Sequence, residues 1–160
     1  MFTYTISKET DEIWKLYEEG FMPSEYKKMR KNYKQRGKFF SIAKDGEKVV
    51  GAMAVYKDGD IHLFVRAVTH KDYLQKMIAT SVRYMIIKHC IEDGASKVGF
   101  VKVENLLSHS RFKAVGFKRI GSHRDYTYYE TPVSDLKIKK LKKIWNMIET
   151  GKQGELISLK

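Results

Sequence analysis

The sequence predicts a mixed α/β (α+β) domain: a mostly antiparallel sheet with one central parallel strand pair, flanked by helices, and a basic amphipathic helix near its C-terminal end. Three observations predict it. The hydrophobic period switches between two and three-to-four along the chain; Asp45-Gly46 and Asp58-Gly59 punctuate three consecutive strand-like runs; and one long amphipathic stretch is bracketed by strands.

Length and composition fit one packed unit. The chain has 160 residues, 42% apolar and 12% aromatic, which is enough for one core and excludes wholesale disorder. Its 31 Lys and Arg outweigh 19 Asp and Glu, a formal net charge of +12, so an acidic partner is expected. Cys90, the single cysteine, excludes an intramolecular disulfide and any zinc site built on several cysteines. No stretch approaches the roughly 20 apolar residues of a membrane span, and Met1-Phe2-Thr3-Tyr4 lacks the regions of a signal peptide. A reduced, cytoplasmic protein is the expectation.

Phe2 to Ile6 alternates as a first strand. Thr10 then caps a helix with Ile13, Leu16 and Tyr17 on one face, stopping at Gly20. Pro23-Ser24 opens a second helix, in which Lys27, Lys28, Arg30, Lys31, Lys34 and Arg36 face only Glu25; Gly37 ends it. Residues 39–43, 49–56 and 61–68 make an antiparallel meander through the two Asp-Gly turns. Asp72 is the expected N-cap of the long helix, which carries Leu74, Met77, Ile78, Val82, Met85 and Ile86 at intervals of three and four and stops at Gly94. Residues 97–103 form the next strand, and a strand–helix–strand crossover sets it parallel to the strand at Ile61. A short helix over 106–115, strands at 117–120 and 125–130, and a helix opened by Pro132 and Ser134 complete the chain. That last helix has Ile138, Leu141, Trp145 and Ile148 on one face and lysines around the rest. The stripe is too apolar to leave bare, and its own domain, a second copy (a homodimer), another protein or a membrane surface would each cover it.

Val103-Glu104-Asn105, followed by Ser110-Arg111-Phe112-Lys113-Ala114-Val115-Gly116-Phe117, gives the element order a more specific meaning. This segment resembles the part of the GCN5-related N-acetyltransferase (GNAT) superfamily in which an Asn ends the fifth strand and a short helix ends in a Gly-Phe pair opening the sixth. The resemblance covers roughly residues 2–130; the compact size and basic tail also resemble bacteriophage-encoded members. It implies that residues 1–131 form an acyltransferase domain; the basic helix and tail of 132–160 lie outside the resemblance, and docking on that domain is the default for their apolar stripe. It also implies that the parallel strands splay apart and that acetyl-CoA or another acyl-CoA lies in the splay. Its arm would bond as an extra strand, and its pyrophosphate would face the free N–H groups of the long helix. The cofactor residues implied are Ala67, Val68, Thr69, Lys76, Met77, Ile78, Ala79, Asn105 and Ser108, with the helix beginning over Leu74 to Ala79.

Two departures from the family pattern stand out. The pyrophosphate turn carries Leu74 and Met77 where the family has Gln or Arg and Gly, so the Met77 side chain is expected to obstruct the diphosphate; only Ala79 fits. Phe112 stands where many members place a Tyr to protonate the departing thiolate. Glu104, as base, and His109, as acid or base, are therefore the candidate catalytic residues beside Asn105. The ordinary reading of Glu104 is a strand-end carboxylate that orders a loop, that of His109 an exposed polar residue on a short helix, and for each the ordinary reading is the commoner one.

His62, on the third meander strand with Phe64 and Arg66, faces either the acceptor groove or solvent. Tyr26 and Arg30 are candidate acceptor contacts on the second helix. The histidines show no metal-ligand spacing, so no metal is expected. Two functions remain open: an N-acyltransferase acting on an amine of an acidic acceptor, and a non-catalytic module of the same fold. In the second, residues 27–38 and 137–143 would contact nucleic acid or an acidic protein assembly.

Overall fold

The computed structural model describes residues 1–103, 111–123 and 126–158. Strand β1 (Phe2–Ser7) leads to helices α1 (Asp11–Gly20) and α2 (Pro23–Arg36), then to strands β2 (Gly37–Asp45), β3 (Lys48–Asp58) and β4 (Ile61–Thr69). Helix α3 (Ile78–Glu92) crosses to β5 (Lys97–Val103); β6 (Arg119–His123), β7 (Tyr126–Pro132) and α4 (Ile138–Glu149) follow. The seven strands form one sheet in the order β1-β2-β3-β4-β5-β7-β6. Among the described strands only β4 and β5 run parallel, so the expected mixed, mostly antiparallel sheet is what forms.

Two apolar layers sandwich the sheet. On one face α1 and α2 bury Ile13, Trp14, Tyr17, Met29 and Tyr33 against Phe40, Ala52, Ala54 and Tyr56. On the other, α3 and α4 cover Phe39, Val50, Val55, Phe64 and Phe100. A strand buried on both faces has no polar side to alternate, which is why Val49 to Tyr56 reads as an unbroken apolar run. The stripe of α4 is covered by the chain's own α3: Leu141 and Ile148 are fully buried, and Trp145 Nε1 donates to the Tyr84 carbonyl at 2.8 Å.

Thr10 caps α1 by accepting from the Ile13 N–H at 3.2 Å, as its sequence position predicts. The start of α3 is a correction. Asp72 does not cap it, and Leu74 to Met77 are not helical: residues 71–73 make a 3-10 turn, residues 74–77 a further turn, and Met77 is the cap residue in the left-handed conformation (φ 58°, ψ 23°). The apolar period runs on through this turn because Met77 packs on the α3-side core without being helical. Helix α3 descends onto β3 at Gly51, where a Cβ would come within 2.6 Å of Ile78 Cγ2.

Candidate donor and acceptor site

The parallel pairing of β4 with β5 covers only Ile61↔Lys97 to Phe64↔Phe100. Beyond it β4 continues to Thr69 and β5 to Val103 with no register between them, so the two strands part. The parting begins at a bulge. Ala54 faces Val65 but Ala52 faces Val68, one extra residue on β4, and Arg66 within it has φ 57°. The bulge also reverses which way β4 faces: Phe64 packs on the α3 side before it, whereas Val68 packs on the α1 and α2 side after it.

Two helices hold this bulge. Tyr17, 1% exposed on α1, donates its hydroxyl to the Arg66 carbonyl at 2.6 Å. Burial, then the neighbouring Tyr56 and Tyr33, pushes the Tyr17 hydroxyl well above its ordinary pKa, so it remains a donor. Glu25, in the first turn of α2, lies 3.6 Å from the Arg66 guanidinium. The stretch Ala67 to Thr69, still in register with β3 at Val68 and Thr69 but with no β5 register on its other side, is thus presented from a fixed point.

The N-terminus of α3 closes the same end of the sheet. Among the described residues no side chain caps it, and Ser81 is the first whose N–H returns to the chain, to the Met77 carbonyl at 2.9 Å. The N–H groups of Ile78, Ala79 and Thr80 precede that first turn bond, as in an anion-binding helix start. Lys71 and Lys76 are exposed on the turn, as is Leu74 at 68%. Met77 corrects an expectation: its side chain packs against the core, and its backbone takes the positive φ that a glycine would adopt there. These residues fit an extended arm ending in a phosphate: an unpaired strand edge, then an uncapped helix start flanked by cations.

The predicted site residues divide into three groups. Ala67, Val68, Thr69, Lys76, Met77, Ile78 and Ala79 share the parted end of the sheet. Tyr26 and Arg30 lie on α2, whose first turn reaches the bulge through Glu25; Arg30 sits over the Trp14 ring at 5.1 Å and donates to the Tyr26 hydroxyl at 3.1 Å. Glu104, Asn105, Ser108 and His109 lie outside the described residues. His62 is a correction, being neither groove-facing nor a surface residue. It is buried on the α3 side at the paired end of β4, and its Nε2 is 2.8 Å from Asp93 Oδ2. Burial raises the Asp93 carboxyl, but hydrogen bonds and charge from Lys38 and His62 outweigh it and hold the group below its ordinary range.

Phe112 is buried in the core, 4.3 Å from Phe100 centroid to centroid and packed on Phe117 and Tyr129. Cys90 is fully buried, and burial pushes its thiol up, away from nucleophilic use. Among the described residues no group of His, Cys, Asp and Glu is placed to hold a metal ion, and no helix is long and apolar enough to cross a membrane. Tyr17, Glu25 and Arg66 are the residues that sequence reasoning missed. Only the interruption of an apolar strand by Arg66 hinted at them.

A model of the acetyltransferase (GNAT) family matches residues 7–117. No curated protein matches the sequence. Among solved structures, the chain is similar to the ribosomal-protein-S18-alanine N-acetyltransferase of Escherichia coli, with a TM-score of 0.64 at 12% identity, covering 82% of this chain and 94% of that one. A Bacillus subtilis acetyltransferase in complex with CoA gives 0.63 at 15% identity over 83% and 99%. The PaiA N-acetyltransferase of Thermoplasma acidophilum, in complex with coenzyme A, gives 0.56 at 13% over 81% and 99%.

Proposed function

The chain belongs to the acetyltransferase (GNAT) family, and from that premise we propose that it transfers an acyl group from an acyl-CoA to an amine. The observation that carries the proposal is the parting of β4 from β5 immediately before an uncapped α3 N-terminus.

In this reading the backbone of Ala67 to Thr69 holds the pantetheine arm as an added strand. The N–H groups of Ile78 to Thr80 and the positive end of α3 receive the pyrophosphate, with Lys71 and Lys76 adding charge at the rim. A bound acyl-CoA supplies a thioester carbonyl open to attack by an amine. The chain's part is then mainly to position and desolvate: Tyr17 fixes the bulge so that the strand edge cannot close on β5, and α2 borders the acceptor side. Phe112 cannot donate a proton, so the acid and base fall to Glu104, His109 or Ser108 beside Asn105.

Calorimetric titration with acetyl-CoA, paired with a thiol-release assay over a panel of amines and N-terminal peptides, tests the proposal. Saturable binding and amine-dependent thiol release are expected. Absence of binding by folded protein at millimolar acetyl-CoA overturns it. The burial of Phe112 favours one specific second reading, a module that binds the cofactor without turnover; binding with no thiol release across the panel would select it.

A further inference from the structure

Helix α2 carries Lys27, Arg30, Lys31 and Lys34 at spacings of three and four, so these four cations share one face. All four are exposed, and none has an acidic partner among the described residues; Glu25, the helix's single acid, lies by Arg66. Like charges at these spacings destabilise a helix, so the arrangement works against the fold it sits on. Arg30 is also fixed in place. Its guanidinium lies 5.1 Å above the buried Trp14 ring and 5.9 Å from the Tyr26 ring, and one of its N–H groups is bonded to the Tyr26 hydroxyl.

We propose that this face of α2 docks the phosphate backbone of a nucleic acid. From Lys27 to Lys34 the helix rises about 10 Å, a length over which one strand of a duplex carries about three phosphates. The excess charge is not confined to α2: Lys139, Lys142 and Lys143 are exposed on α4, which packs on the opposite face of the sheet. A field positive on both sides suits an extended polyanion better than one acidic patch on a protein. None of the four cations belongs to the parted strands or the α3 turn; Arg30, held on Trp14 and Tyr26, is also a candidate acceptor contact, so the test leaves it in place.

Fluorescence anisotropy with a fluorescein-labelled 20-base-pair duplex tests it on the full chain. If about three phosphates are neutralised, Kd rises roughly 40-fold between 50 and 200 mM salt. The K27Q/K31Q/K34Q variant should raise Kd at 100 mM salt at least tenfold and flatten the salt slope, with its circular dichroism spectrum unchanged. The K139Q/K142Q/K143Q variant, which lowers the overall field without removing a phosphate contact, should change Kd less than threefold. Three results overturn the proposal: no binding at 50 mM salt, equal loss in both variants, or polyglutamate competing as well as unlabelled duplex, which would make the partner an acidic protein.

Discussion

The Tyr17 hydroxyl donates to the carbonyl oxygen of Arg66 at 2.6 Å, joining α1 to the bulge of β4 across 49 positions of sequence. Arg66 has a positive φ, which a residue with a side chain adopts only under external constraint. The hydroxyl supplies one such constraint on the backbone, and Glu25 a second on the side chain. The Tyr17→Phe variant should leave a part-buried carbonyl unpaired and lose about 1–3 kcal/mol of stability. With the bulge loosened, acetyl-CoA affinity should fall severalfold, whereas Glu25→Gln should change it less than twofold. Urea unfolding and calorimetry read the two effects; equal affinity in Tyr17→Phe and wild type would remove the bulge from the cofactor site.

Met77 holds the left-handed conformation at the mouth of α3. A glycine there relieves roughly 1 kcal/mol of strain but gives up the part-buried contact of the Met77 side chain with the core. The Met77→Gly variant should therefore stay within about 1 kcal/mol of wild-type stability, while Met77→Val, branched at Cβ, should lose more than 1 kcal/mol. Because the Met77 side chain already turns into the core and its backbone already holds the glycine-like conformation, Met77→Gly should leave acetyl-CoA affinity within about threefold of wild type in titration calorimetry.

His89 is buried on α3 with its Nδ1 2.8 Å from Ser41 Oγ. Burial, then the nearby Lys88, lowers its pKa to about 4. The unfolded chain binds this proton near pH 6.5 and the folded chain only near pH 4, so folding excludes a proton throughout that window. The stability concerned is present above pH 6.5 and is lost as the pH falls towards 4, by roughly 2–3 kcal/mol. His89→Gln, which keeps a partner for Ser41, should flatten the melting temperature between pH 7 and 5. A wild-type curve as flat as the variant's would contradict this.

Trp145 seals α4 onto α3 through its indole N–H and its buried ring. Trp145→Ala should cost about 3–5 kcal/mol, because it leaves a cavity under the helix as well as removing buried apolar surface. Trp145→Phe should cost less, since most of the ring volume remains. Denaturant midpoints at constant m-value distinguish them; a midpoint shift under about 1 kcal/mol for Trp145→Ala would mean that α4 is only loosely seated.

By itself the sequence determined the elements and their order. Period-two and period-three runs, the Asp-Gly turns and the Thr10 cap are local signals, and local signals decide local structure. It also marked the Asn105 to Phe117 segment, and with it the family. What it could not decide was how neighbouring elements constrain one another. Helix α3 begins at Ile78 because Gly51 admits that residue onto β3 and Met77 turns into the core, although Asp72 has the better local credentials for a cap. His62 shares an alternation with Phe64 and Arg66 in the sequence, yet the bulge reverses the facing of β4 just beyond Phe64 and leaves His62 with Asp93. A one-residue bulge flips every later side chain, and it is set by contacts that α1 and α2 make from far away in the chain. The parted end of the sheet is therefore a property of the tertiary structure, decided where Tyr17 meets Arg66.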